Sequence, residues 1–219
     1  MSQDGGTVAI AGDILLGGAP GSEGRYEIDG AGVLSLFAGG SVVISGGLMD
    51  IHALQLESGA LVQQSGGVIE LDRSLLLDSR RTGVPARYTI SDGSVSAPDI
   101  ELFSPGNSFE QQGGTVTARS LDLTIDVDNA YELGGGTLSV ARNIHIEGTL
   151  TATGGLAEVD GRIDLMVGGQ MHLQGGTLRA EEFKVDHSSN DPRPVSCPVV
   201  QGRRGDRGIP DAPLGPRTA

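Results

Sequence analysis

Apolar and polar residues alternate in short bursts along most of this chain, and a glycine precedes each burst. GGTVAIAGDILL, GGLMDIHALQL, GGVIELDRSLLL, GGTVTARSLDL, GGTLSVARNIHI and GGTLRAEEFKV share one layout. Two positions after the anchors Gly6, Gly32, Gly47, Gly67, Gly93, Gly114, Gly136, Gly155 and Gly176 stand Val8, Leu34, Met49, Ile69, Val95, Val116, Leu138, Ala157 and Leu178. Four positions after them stand Ile10, Leu36, Ile51, Leu71, Ala97, Ala118, Val140, Val159 and Ala180. A spacing of two places both columns on one face of a β-strand. A late pair follows: Ile14/Leu16, Leu54/Leu56, Leu75/Leu77, Ile100/Leu102, Leu121/Leu123, Ile144/Ile146, Ile163/Leu165 and Phe183/Val185. A leading run precedes each anchor, headed by Tyr26, Val42, Val62, Tyr88, Phe109, Tyr131, Leu150 and Met171.

A period of about twenty residues marks a stacked array, not a single globular core. Three short strands per period, with turns between, predict an all-β fold, a parallel β-helix or β-solenoid. The coil at Gly32 lacks a late pair, so the pattern predicts nine coils, eight of them complete. With rungs about 4.8 Å apart, nine coils would span roughly 43 Å. No coil can bury its face alone, so stability must come from its neighbours. The glycine pairs supply backbone freedom at one corner. The other corner is irregular (GGAPGSEG, DSRRTGVPA, SPGN, DVDN), as loops that tolerate insertion are.

Composition narrows this picture. There are 36 glycines, no tryptophan and 3% aromatic residues, so the expected lumen is narrow and built from small aliphatic side chains. Helical periodicity is absent from the body, and no stretch approaches the roughly eighteen apolar residues of a membrane helix. Met1 is followed by no basic or apolar leader, so no signal peptide is expected in this chain. Cys197 stands alone, which rules out an internal disulfide.

From His187 the pattern stops. The segment 187–219 holds six of the ten prolines and a net charge of +2, so residues 1–186 carry −15 of the total −13. The expected division is a solenoid over 1–186 and a disordered Pro/Arg/Gly-rich tail over 187–219. Arg204-Gly205-Asp206 in that tail matches a three-residue integrin-ligand motif, too short to carry weight. A body at −15 with few aromatics makes nucleic acid an unsuitable partner.

YTISDGSVSAPDIEL followed by FEQQGGTVTARSLDL resembles the repeats of bacterial autotransporter passengers and of envelope-sorted surface proteins. The aromatic–x–x–x–Gly-Gly–x–Val/Leu pattern runs from residue 5 to 185. The resemblance implies a right-handed parallel β-helix, exported to the cell surface or medium, acting as a stalk or adhesive surface. Its implied partners are carbohydrate or other surface proteins. Export signal, sorting tag and outer-membrane barrel are not recognisable, which suggests a fragment. Uncapped solenoid ends are unpaired sheet edges, so end-to-end self-association is expected.

Three outward features carry candidate chemistry. Down the late strand, Glu101, Asp122, His145 and Asp164 would occupy successive rungs, a spacing suited to acid–base work. The favoured reading is a solvated face of mixed charge, since no arginine or lysine lies in that column near Glu101. Down the post-glycine strand, Ser94/Ser96, Thr115/Thr117 and Thr137/Ser139 form a three-rung hydroxyl ladder. Such a ladder suits a crystalline or sugar surface, although serine and threonine are ordinary outward strand residues. The turn Asp126, Asp128, Asn129 gathers oxygen ligands suited to calcium. No cofactor is implied. The expectation is a non-catalytic structural or adhesive repeat module. The alternative is a polysaccharide-acting β-helix lyase or hydrolase, which would need long insertions walling a cleft.

Overall fold

The computed structural model describes residues 2–4, 7–10, 13–16, 25–36, 40–80, 83–119 and 123–186. All strand pairs among them are parallel, each strand stacking on the equivalent strand of the adjacent coil. The result is a β-solenoid of about 7 turns, with no helix among the described residues. The segment 187–219 lies outside the described residues, and with it the expected tail.

Each turn presents three faces. The leading face stacks Val42, Val62, Tyr88, Phe109, Tyr131, Leu150 and Met171 in register. The post-glycine face stacks Met49, Ile69, Val95, Val116, Leu138, Ala157 and Leu178. The late face stacks Leu54, Leu75, Ile100, Leu123, Ile144, Ile163 and Phe183. Leu123 apart, alternation places these side chains in the lumen because odd and even positions of a strand point to opposite sides. Tyr88, Ile90, Val95, Ala97, Ile100 and Leu102 are all fully buried, as the pattern predicts.

The glycine anchors work at one corner. Gly47, Gly67, Gly93, Gly114, Gly136, Gly155 and Gly176 all have left-handed backbones. At Gly136, with φ 73°, a Cβ would stand 2.2 Å from the Gly114 carbonyl oxygen. Both the conformation and the close stacking of corner on corner therefore require glycine there.

Three expectations are corrected. The nine coils become about 7 turns because the N-terminal glycines index the wrong columns. Leu34/Leu36 follow Gly32 but do not lie in the post-glycine face: they stack on Leu54/Leu56 in the late face, and Tyr26/Ile28 stack on Met49/Ile51. Ile14/Leu16 stack on Val42/Ile44 in the leading face, and Val8/Ile10 on Leu34/Leu36. An apolar pair at spacing two looks alike on all three faces, so pairing with the next coil decides among them. Second, the late pair of the fourth turn is Leu123/Ile125, which stacks on Ile100/Leu102, in place of Leu121/Leu123. A shift of two keeps every side chain on its face, and periodicity cannot detect it. Third, the lumen is not purely aliphatic. Tyr88, Phe109 and Tyr131 stack with ring centroids 4.6 and 4.8 Å apart and planes within 4°. In-register parallel strands set equivalent rings one rung apart, close to the distance at which rings stack.

Buried polar groups on this face pair across turns. The Tyr88 hydroxyl donates to Gln64 Oε1 at 2.6 Å, and the Tyr131 hydroxyl to Gln111 Oε1 at 2.7 Å. Gln64 Nε2 donates to the Ser94 carbonyl at 2.9 Å, and Gln111 Nε2 to the Thr137 carbonyl at 2.9 Å. Burial drives both tyrosine hydroxyls upward in pKa, so they remain neutral donors. A two-turn repeat of one polar device thus satisfies groups that would otherwise be costly to bury.

Candidate functional site

The richest surface lies on the late face at its corner with the post-glycine face. Gln55, Leu76 and Glu101 stand in register on adjacent rungs, all half-buried. Ser74 and Asp99 stand in register two positions earlier. The corner before them changes length from turn to turn. His52 alone separates Ile51 from Ala53, Asp72 and Arg73 separate Leu71 from Ser74, and Pro98 alone separates Ala97 from Asp99. The longer middle corner places exposed Arg73 between two tighter ones. Backbone bonds fix it: Arg73 N donates to the His52 carbonyl at 2.8 Å, and Asp99 N to the Arg73 carbonyl at 3.1 Å. Arg119 reaches back along the same corner, its Nη2 donating to the Leu71 carbonyl.

His52, Arg73, Asp99 and Glu101 line a recess of ≈ 340 Å³ together with Ala53, Leu54, Gln55, Ser74 and Leu76. Burial pushes the Glu101 carboxyl above the ordinary carboxylate range, the Asp99 charge adds to the rise, and Arg73 opposes it. Gln55 also borders a second recess of ≈ 260 Å³ with Glu57, Asp78 and Arg80. Burial alone would raise Asp78. Hydrogen bonds from Arg80 Nε, Ser104 Oγ and the Arg80 backbone N–H, together with the Arg80 charge, outweigh it and hold the carboxyl low. The Arg80 guanidinium also lies 4.6 Å above the Phe103 ring, a cation–π contact on a partly exposed aromatic.

Of the acid–base candidates, the three described ones, Glu101, His145 and Asp164, do not all converge. Thr124, not an acidic residue, stands opposite Glu101 on the next rung, and His145 stands opposite Thr124. Asp122 lies outside the described residues. Glu101 and His145 are therefore two rungs, roughly 10 Å, apart, too far to share a proton directly. His145 and Asp164 do meet, Nδ1 to Oδ2 at 3.3 Å. Arg162 grips the same buried Asp164 through Nε at 2.5 Å and Nη2 at 2.9 Å. Asp164 thus contacts both His145 and Arg162, with the Arg162 Nη2 as its hydrogen-bond donor.

The hydroxyl ladder assembles in the predicted register. Ser94, Thr115 and Thr137 form one column, and Ser96, Thr117 and Ser139 the other. Val68/Glu70 and Leu156/Glu158 bound it on either side. The turn at 126–129 is different from its sequence reading. Asn129 is buried, its Oδ1 accepting from Asn107 N at 2.9 Å and its Nδ2 donating to the Leu102 carbonyl at 2.8 Å. Asn107 repeats the arrangement one turn earlier, accepting from Ala86 N at 2.8 Å. These asparagines cap a corner, which takes Asn129 away from Asp126 and Asp128 as a calcium ligand. Asp126 Oδ1 accepts from the Val127 N–H at 2.8 Å, and Asp128 sits exposed at φ 61°. Among the described residues no group of three His, Cys, Asp or Glu is placed to hold a metal ion. No helix among them is long and apolar enough to cross a membrane.

Sequence reading missed His52, Arg73 and Arg80, because it followed columns of fixed spacing. These residues sit at corners, where length varies, and no column passes through them. No protein-family model matches the chain, and neither does any curated protein or solved structure.

Proposed function

We propose that the chain is a non-catalytic structural or adhesive module of a bacterial surface or secreted protein, whose solenoid holds or displays an extended surface. The observation that carries this reading is the even parallel stacking of about 7 turns, which presents an extended surface. Glu101 lies two rungs from His145 and three from Asp164, and Asp164 is paired with Arg162. Acid–base catalysis needs its groups within hydrogen-bond reach of one reacting centre, and Glu101 does not share such a centre with His145 or Asp164. The winding is taken as right-handed, the hand that parallel crossovers overwhelmingly adopt. Placement at the cell surface, and the kinship with autotransporter-like repeats, rest on the repeat pattern alone.

A lyase or hydrolase is the second reading, favoured by one observation: Glu101 carries a raised carboxyl beside Arg73. The test is incubation with acidic and neutral polysaccharides, with and without calcium, following new reducing ends and unsaturated products. The expected result is no turnover. Cleavage that disappears in Glu101→Gln/Asp122→Asn would replace the structural reading with the enzymatic one.

A further inference from the structure

We propose that the recess between His52 and Glu101 is a binding site for a short run of a neutral polysaccharide, which the module would use to attach or to be attached. This deepens the adhesive reading above and rests on it.

The chemistry of the recess selects the ligand class. Arg73 offers only donors, Asp99 offers acceptors, and Gln55 offers both from one planar amide. Leu76, half-buried and in register between Gln55 and Glu101, adds an apolar side chain to the lining. Mixed donors and acceptors beside an apolar side chain match a sugar ring, which has hydroxyls at its rim and C–H groups on its face. Sites for small molecules are commonly concave, apolar at the base and set with a few polar groups.

Charge excludes the obvious competitors. Arg73 and Asp99 act on Glu101 in opposite directions, the recess lining holds two carboxylates to one arginine, and the body carries −15. A polyuronate or a nucleic acid would meet net repulsion. A neutral polymer is indifferent to the overall field and still gains hydrogen bonds to charged groups, which are stronger than neutral ones. Shape sets the length. The recess crosses the rungs of Gln55, Leu76 and Glu101, which stand about 4.8 Å apart, close to one sugar ring per rung. His52 and Arg73, from corners of unequal length, border it.

The test is isothermal titration of the full chain with cellohexaose, xylohexaose and mannohexaose, and with hexagalacturonate as the acidic comparison. The variants are Arg73→Ala, Arg73→Lys and Glu101→Gln, with Thr117→Val on the hydroxyl ladder as the control. At least one neutral hexasaccharide should bind, and Arg73→Ala should weaken it about tenfold, the loss of a charge-assisted hydrogen bond. Glu101→Gln should weaken it less, and Thr117→Val should leave it unchanged. Arg73 is exposed, so thermal melting of both Arg73 variants should match the parent, and Arg73→Lys should recover part of the affinity. Failure of all three neutral probes to bind overturns the inference, as does binding unaffected by Arg73→Ala and Glu101→Gln. Preference for hexagalacturonate overturns the neutral class. Binding lost only in Thr117→Val moves the site to the hydroxyl ladder and leaves the adhesive reading intact. Cleavage of a bound hexasaccharide supports the site and overturns the non-catalytic reading instead.

Discussion

The turns from Arg87 to Ile146 and the last turn from Gln170 to Val185 are written in one pattern, yet they bury it unequally. Tyr88, Val95, Ile100, Phe109, Val116, Tyr131, Leu138 and Ile144 are wholly inaccessible. In the last turn Met171 and Leu178 retain 8% exposure, and Leu173, Ala180, Phe183 and Val185 are only partly buried. Their alternation is equally regular. Among the described residues the central turns have a neighbour on each side, and the last has one. The polar devices follow the same division: the ring stack, the Gln–Tyr pairs and the asparagine corners all lie between Gln64 and Tyr131. In a stacked fold, burial belongs to the interface between turns and not to the turn itself.

The largest test of that contrast places a charge in the lumen. Val116→Asp should cost on the order of 4 kcal/mol, since a buried unpaired carboxylate has no partner there. Leu178→Asp in the last turn should cost less than half as much, because water reaches it. Thr117→Asp, which points outward, should stay within about 0.5 kcal/mol of the parent. Urea titrations read all three. Equal losses at Val116 and Thr117 would mean that the strand register is wrong.

Glycine corners give the next effect. Gly136→Ala brings a Cβ against the Gly114 carbonyl at φ 73° and should cost about 2–3 kcal/mol. Gly168→Ala, at φ 92° with nothing within 4 Å, should cost only the strain of a left-handed residue, about 1–2 kcal/mol. Equal losses would show that conformation, not stacking, fixes the glycines.

Tyr131→Phe preserves the ring stack and removes one hydroxyl. It leaves Gln111 Oε1 buried without that donor and should cost about 1–2 kcal/mol. Tyrosine-to-phenylalanine exchange at Tyr88 should behave alike, because Gln64 stands to it as Gln111 stands to Tyr131.

The smallest effect is in pH. Asp78 is held low, so its contribution is complete above its unfolded pKa and fades as pH falls through the folded value. Glu101 is raised, so its contribution is present below its unfolded pKa and fades as pH rises through the folded value. At neutral pH Glu101→Gln should therefore raise the urea midpoint slightly, and Asp78→Asn should lower it. As pH falls the Glu101→Gln difference should vanish first and the Asp78→Asn difference only at lower pH. A lower midpoint in Glu101→Gln at pH 7 would show that Arg73 outweighs burial and Asp99.

Much of the fold was legible because its physics is local. Alternation at spacing two separates inside from outside, and the glycines mark a corner that only glycine can turn. Val116 and Thr117 could be assigned to lumen and surface from the sequence alone, and so could the hydroxyl ladder from Ser94 to Ser139. Register was not local. Leu34/Leu36 were assigned to the wrong face, and Leu121/Leu123 stood where the late pair is Leu123/Ile125, because every face of every turn offers an equivalent apolar pair, and only stacking on the next turn distinguishes them. The candidate site depended on that missing information. Arg73 comes beside Glu101 through a corner one residue longer than its neighbours, across 28 residues of chain. Asn129 turned from a calcium candidate into a corner cap for the same reason: its partners, Asn107 and Leu102, belong to the turn below. The sequence by itself determined which side chains face the lumen, since a strand sends alternate residues to opposite sides. The tertiary structure decided which outward residues meet, since those meetings depend on rung register and corner length, and neither leaves a periodic signal.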